Sequence, residues 1–225
     1  MLKTSHKLRS SQKIFFAELV GTFVVVLCAA GSVVIDAQTG GMLGLAFVAF
    51  APFAGVAAMV YAFGKISMAH FNPAVTIGFF ISGHIGKSQL PVYLGAEIIG
   101  ALLASLFVIA FIGNEANLGA NTPNYSFPLP AIFGVELMAT AFLMAVIFTA
   151  VYTRGLRGWN GIAIGGVVGV NIFLFSFISG ASMNPARSLA PALLSGAISN
   201  LWLYWSATFA GSSIVALLCR KKFQN

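Results

Sequence analysis

Apolar residues fill six long blocks of this chain, separated by short polar gaps. Their expected limits are Ile14–Ile35, Leu43–Phe63, Leu90–Ile112, Ala131–Thr153, Gly161–Phe177 and Leu201–Cys219. A helix needs about 20 apolar residues to cross a bilayer, with about 17 as a lower limit, so the fifth block is marginal and its start is expected near Gly158. The first block follows a basic stretch, as a signal peptide would. It is too long for one, and Ser32–Asp36 offers no cleavage site, so it reads as a retained span. Two shorter, interrupted apolar stretches lie outside the six. Each contains the tripeptide Asn-Pro-Ala, at Asn72-Pro73-Ala74 and at Asn184-Pro185-Ala186.

Proline is tolerated in the first turn of a helix, where its missing N–H would have had no intrahelical partner. An asparagine just before it caps that helix and can still aim an amide outward. One such tripeptide is an ordinary turn signal. Two, half a chain apart in matched contexts, predict two half-helices that meet at the centre of a duplicated membrane pore. The rest of the chain repeats with them. Glu18-Leu19-Val20-Gly21-Thr22 matches Glu136-Leu137-Met138-Ala139-Thr140, Tyr93 and Gly100 match Tyr204 and Gly211, and Ser67–Asn72 matches Ser179–Asn184. Three spans per half is an odd number, so the halves must be inverted relative to one another, as in transporters with broken helices. The expected architecture is an all-α integral membrane fold of six transmembrane helices and two re-entrant half-helices. It forms a single domain over residues 1–225, with repeats at about 10–115 and about 128–222.

Composition agrees. Hydrophobic residues make up 59% of the chain and charged residues 8%, and mean hydropathy is +0.93. Soluble domains carry about 25% charged residues. The net charge of +7 does not mark a nucleic-acid binder, because the basic residues fall at the chain ends and in the gaps between blocks. Lys3, Lys7, Arg9, Lys13, Lys65, Lys87, Arg154, Arg157, Arg220, Lys221 and Lys222 all lie on one side of a six-span chain, which predicts cytoplasmic termini and, by location, a cell membrane. Arg187 is the exception. A guanidinium inside a membrane segment is costly and usually functional, the alternative being a side chain that snorkels to the headgroups. Cys28 and Cys219 suggest neither a disulfide framework nor a metal site.

Ser67–Thr76 and Ser179–Ser188 closely resemble the two signature loops of the aquaporin, or major intrinsic protein, family, and Glu18 and Glu136 match it as well. The resemblance covers nearly the whole chain. It implies a right-handed helical bundle assembled as a homotetramer with one pore per protomer. It also implies passive conduction of water or small uncharged solutes, no enzymatic chemistry and no cofactor. The positive dipole ends of two half-helices meeting at mid-membrane would repel cations and hydronium. Asn72 and Asn184 would donate to a passing water, and unwound backbone before each tripeptide would supply acceptors.

By resemblance, Arg187 lines the extracellular constriction and His70 the inner mouth, while Glu18 and Glu136 accept hydrogen bonds from the re-entrant loops. The family's spacing gives Pro52, Ile172 and Ala181 as the other constriction residues. Strict water channels usually carry an aromatic, a histidine and a small residue there, and glycerol facilitators a tryptophan, a glycine and a phenylalanine. This chain has neither set, which implies a wider and more apolar opening. Alternatively, Pro52 only kinks the second span while Phe53 or Phe50 fills the gap. Ser188, Ala192 and Tyr204-Trp205 side with the water channels. The expected permeants are therefore water and a small neutral solute such as ammonia, urea, glycerol or hydrogen peroxide. Glu97 stands where the family commonly has glutamine, and Met68 stands where it has the glycine kept at Gly180. Met68 is expected to crowd the inner mouth. A coupled transporter would need a coupling-ion site, and the chain shows no acid pair expected to face the pore; an intramembrane enzyme would need a nucleophile–base or metal set, and the chain shows none.

Overall fold

The computed structural model describes residues 2–156 and 158–223, with no description of the side chains of residues 2–9, 154 and 221–223. Of the topology-setting basic residues, Arg157 lies outside the described residues, and the side chains of Lys3, Lys7, Arg9, Arg154, Lys221 and Lys222 lie outside the description. The described residues contain nine helices: α1 (Leu2–Gln38), α2 (Gly44–Ser67), α3 (Pro73–Ile81), α4 (Leu90–Phe111), α5 (Glu115–Gly119), α6 (Leu129–Tyr152), α7 (Asn160–Ser179), α8 (Pro185–Ser195) and α9 (Leu201–Phe223), with 3₁₀ turns at Arg154–Leu156 and Ile198–Asn200.

The six expected apolar blocks lie in α1, α2, α4, α6, α7 and α9, which are long and apolar enough to cross a membrane. Block and helix limits agree within a few residues except at the N-terminal end of α1 and the C-terminal ends of α2 and α9, where the helices run on. The fifth span begins at Asn160, just after Gly158, which sits in a left-handed turn at φ +91°. It reaches 20 residues by continuing to Ser179. The two half-helices, α3 and α8, have 9 and 11 residues. At 1.5 Å per residue they reach about 14 and 17 Å, roughly half of a 30 Å hydrocarbon core.

Packing repeats between the halves. α1 packs on α2 and α4, as α6 packs on α7 and α9. The half-helices cross over: α3 rests on α9, and α8 on α4. Two glycines permit the tightest of these contacts. A Cβ on Gly100 of α4 would strike the Leu19 carbonyl of α1, and one on Gly211 of α9 would strike the Leu137 carbonyl of α6. Small residues at such crossings let backbones approach where lipid offers no hydrophobic drive between helices.

The bundle is polar within and apolar without. Glu18, Glu97 and Glu136 are fully buried, while Phe16, Phe111 and Leu218 face outward at 64–77% exposure. Buried acids in a lipid-facing fold need internal partners.

Gly100→Val should therefore force α1 and α4 apart and destabilise the protein by about 1–3 kcal/mol or more. Gly134→Ala, where a Cβ meets nothing within 4 Å, should be harmless. Thermal unfolding of the two purified variants in one detergent separates these outcomes.

Candidate functional site

Each half-helix begins as its tripeptide predicts. Asn72 is extended (φ −161°, ψ 116°) and its side-chain oxygen accepts from Ala74 N–H, with Pro73 in the first turn. Asn184 is likewise extended and accepts from Ala186 and Arg187 N–H. The side-chain nitrogens tie the two loops together. Asn72 Nδ2 donates to the Met183 carbonyl at 2.8 Å, and Asn184 Nδ2 to the Phe71 carbonyl at 2.9 Å. An amide nitrogen carries two hydrogens, so each asparagine keeps one donor after this cross-tie.

The loops before the tripeptides are unwound and left-handed in places: Met68, Ala69 and Phe71 in the first, Gly180, Ala181 and Met183 in the second. Their backbone N–H groups have no helix to satisfy them. Glu18 accepts from His70 N–H (3.0 Å) and Phe71 N–H (2.6 Å). Glu136 accepts from Ser182 N–H (3.2 Å), Met183 N–H (2.5 Å) and the Ser179 hydroxyl (2.9 Å). Tyr93 and Tyr204 each donate to the carbonyl of the serine that starts a loop, Ser67 and Ser179, at 2.7 Å.

Between the loops lies a narrow cavity of about 50 Å³, counting only space open to the centre of a water-sized sphere. A single water needs about 10–15 Å³ on that measure, so the cavity holds a few. Its wall includes Asn72, Asn184, Arg187, Pro52, Ile172, Ala181 and His70, with Val56, Leu143, Ile147, Ile164 and Val168 as an apolar lining. An outer vestibule of about 170 Å³ shares Ala29, Ile172, Ala181 and Arg187 with it. An inner vestibule of about 620 Å³ shares Ile164. Ile172, Ala181 and Arg187 thus stand where the outer vestibule narrows into the cavity. Pro52 faces the cavity, and Val48, one turn earlier, faces the outer vestibule. Phe50 and Phe53 do not fill a gap in the wall: they line an apolar groove with Gly166, Val170 and Phe173 of α7.

Arg187 is 8% exposed and its guanidinium is fixed. Nη1 donates to the Gly119 carbonyl (2.7 Å) and to Asn121 Oδ1 (2.9 Å), and Nη2 reaches the Ala29 carbonyl at 3.4 Å. Two of the five guanidinium N–H groups remain for a permeant. The Gly119 carbonyl is presented by α5, a turn that is left-handed through Ala116, Asn117 and Leu118 (φ 49–58°). Such backbone costs about 1–2 kcal/mol per residue. Burial of Leu118 against Val34 and Val108 helps to hold it. Asn121 also accepts from the Ser188 hydroxyl (3.0 Å) and donates to the Gly180 carbonyl (2.7 Å). Sequence reading missed Asn121, whose only signal was a polar residue in a connection.

His70 lines the central cavity beside Phe79, which itself lines the inner vestibule. It is 4% exposed and stacked between Phe79 and Tyr93, at centroid distances of 4.5 and 4.4 Å, and these rings hold it in the wall of the central cavity. Met68 does line the inner vestibule, beside Lys65 and Tyr152. It holds a left-handed conformation (φ +65°) where its counterpart is Gly180. His84, on the α3–α4 connection, pairs with the Ser82 hydroxyl (2.8 Å) and with the Tyr152 hydroxyl, tying that connection to the end of α6. Burial lowers its pKa.

A sequence model described as "Major intrinsic protein" matches residues 4–219. The chain belongs to the major intrinsic protein family. A probable aquaporin, NIP7-1, of Arabidopsis thaliana is 36% identical over 211 residues, covering 92% of this chain and 76% of that protein. Aquaporin NIP1-1 of Zea mays is 39% identical over 195 residues, covering 86% and 68%. In three dimensions the chain is similar to the X-ray structure of the aquaglyceroporin from Plasmodium falciparum. The TM-score is 0.80 at 24% identity, over 94% of this chain and 96% of that one, a likeness of fold. As a member of the family, the protein is a membrane channel for water or small solutes and not an enzyme.

Asn121→Ala should remove an acceptor from both Arg187 and Ser188 and destabilise the channel by about 1–3 kcal/mol. A lowered unfolding temperature in lipid, with Asn121→Asp restoring most of it through the retained acceptor, is the expected result.

Proposed function

We propose that this channel passes water and small uncharged solutes and excludes ions and protons. The observation that carries this reading is the convergence of Asn72, Asn184, Arg187, Pro52, Ile172 and Ala181 on one cavity that adjoins a larger outer vestibule. The positive ends of α3 and α8 face each other there, each worth roughly half an elementary charge. A cation would meet both, together with the fixed charge of Arg187, in a site too narrow for its hydration shell. The free amide hydrogens of Asn72 and Asn184 bind the lone pairs of a passing water. Its own hydrogens then point away along the pore, which breaks a proton-conducting chain.

A second reading, a facilitator mainly for a small neutral solute, is favoured by the constriction's composition. Three of its four side chains, Pro52, Ile172 and Ala181, carry no polar group, so Arg187 alone discriminates among polar solutes. The plant relatives described as aquaporins support conduction within this range. We also assign the chain a single channel domain of two inverted repeats, a homotetrameric assembly and cytoplasmic termini in a cell membrane. Lys13, Lys65 and Lys87, all at the end of the bundle opposite Arg187, support that orientation through the positive-inside rule.

In proteoliposomes, Arg187→Ala should weaken discrimination among water, urea and small cations more than it lowers water flux. Unchanged selectivity at normal protein levels refutes the assignment of Arg187.

Replacing Ile172 with His and Pro52 with Phe should narrow the aperture and add a polar wall. Water flux should persist while glycerol or urea permeability falls, read by paired swelling assays at matched protein density. If the wild type already excludes every solute larger than water, the wide constriction is wrong.

A further inference from the structure

Glu97 has no role in the scaffold just described. It is a fully buried carboxyl on α4, and one of its oxygens, Oε2, has no hydrogen-bond partner. Its other oxygen lies 2.5 Å from the Thr76 hydroxyl, on the half-helix α3. Thr76 in turn lies 2.9 Å from Nδ1 of His70, whose Nε2 has no protein partner and whose ring lines the cavity. The three side chains form an unbroken line from the middle of α4 to the pore wall.

The line holds few protons, and they must be shared. A threonine hydroxyl has one hydrogen, so Thr76 can donate to Glu97 or to His70 but not to both. If Glu97 is ionised, Thr76 donates to it and accepts from His70 Nδ1–H, leaving a bare lone pair on Nε2. If Glu97 carries its proton, the order reverses: Glu97 donates to Thr76, Thr76 donates to Nδ1, and the histidine proton sits on Nε2.

Hydrogen-bond accounting chooses between them. A buried carboxylate is tolerated when cations or several donors surround it. Among the described residues no lysine or arginine pairs with Glu97. Glu18, the nearest acid, faces it from α1 with its own oxygens filled by the His70 and Phe71 N–H groups. Tyr93, on the same helix, gives its hydroxyl to Ser67, and Arg187 of α8 is occupied at the outer constriction. The Asn72 N–H is the remaining donor directed at this carboxyl. A neutral acid asks for less: one acceptor for its proton, which Thr76 supplies.

We propose that Glu97 is a neutral carboxylic acid that, through Thr76, fixes His70 as its Nε2–H tautomer and so gives the pore a further fixed donor beside Asn72, Asn184 and Arg187. Glu97 and Thr76 are positioning residues, and His70 is the group that meets the permeant. Stacking between Phe79 and Tyr93 holds the imidazole in place, so the tautomer decides what it offers. Fixed donors on Asn72, Asn184, Arg187 and His70 along one cavity select permeants that present oxygen lone pairs. This inference rests on the pore reading for its effect on flux only.

The test uses the whole channel in lipid vesicles. Infrared spectra should contain a protonated-carboxyl band that disappears in Glu97→Gln and moves in Thr76→Val. Nitrogen-15 spectra of histidine-labelled channel, with His70 assigned through His70→Gln, should show the Nε2–H tautomer at neutral pH. Glu97→Gln should retain that tautomer, because its amide supplies the same donor. Thr76→Val should alter the tautomer signal and lower water flux by about two- to tenfold, the worth of one hydrogen bond. Thr76→Ser should preserve both and guards against misfolding of the valine variant. A carboxyl band that survives in Glu97→Gln, or a proton on Nδ1 of His70, overturns the proposal. Normal flux in a folded Thr76→Val removes His70 from the conduction path. A wild type that conducts no water would refute the pore reading, while the spectra still decide the proton order.

Discussion

The structure depends on satisfying backbone N–H groups that lie deep in a membrane without belonging to any helix. A re-entrant half-helix can start at mid-membrane only if the chain leading to it is unwound, and unwound chain in a low-dielectric interior strands its donors. Each such donor costs about 1–3 kcal/mol when left unpaired. Glu18 and Glu136 accept four of them, two apiece, and Tyr93 and Tyr204 cap the carbonyls at which the unwinding begins. Without these acceptors the two loops could not reach the centre, the asparagines could not cross-tie, and no water-accessible cavity would separate them. The buried acids of the spans are therefore the condition for having a pore.

Much of this was legible in the sequence because membrane constraints are coarse and strong. Six apolar blocks, a repeated tripeptide and an odd number of spans per half leave few arrangements, and the blocks fall in the six long helices. The repeated glycines at Gly100 and Gly211 were visible as a match, and their physical reason, carbonyl contact with Leu19 and Leu137, appears only in three dimensions. What stayed hidden was which apolar face looks at water. Val56, Leu143, Ile147 and Val168 line the cavity, while Phe50 and Phe53 face away from it, and no helical period separates a wet apolar face from a lipid-facing one. The surroundings of His70 stayed hidden for a related reason: its stacking partners Phe79 and Tyr93 come from separate segments.

The two halves share a scaffold and differ in what they place on it. At matched positions the first half has His70 and Thr76 with Glu97 behind them, and the second has Ser182 and Ser188 with Asn121 behind them. In both, a hydroxyl in the first turns of a half-helix links a cavity-facing side chain to a buried polar group on a different element. The buried groups come from unrelated places, a membrane span in one half and an outer connection in the other. Symmetry therefore fixes where the links begin and leaves free where they end.

That freedom explains why the outer half of the pore carries the strained backbone. Asn121 and the Gly119 carbonyl must be brought to Arg187 from outside the repeat, and the route is a left-handed turn followed by a glycine at φ +66° whose Cβ position is blocked by the Ala30 carbonyl. The inner half needs no such device, because Glu97 arrives on a straight helix. Met68, Ala69 and Phe71 are strained there, in a conformation that glycine adopts freely and a side chain does not. The Met68 side chain reaches the inner vestibule. Left-handed backbone recurs along both loops that wall the cavity, at Ala69, Phe71, Ala181 and Met183, while the cross-tied asparagines sit in ordinary extended backbone.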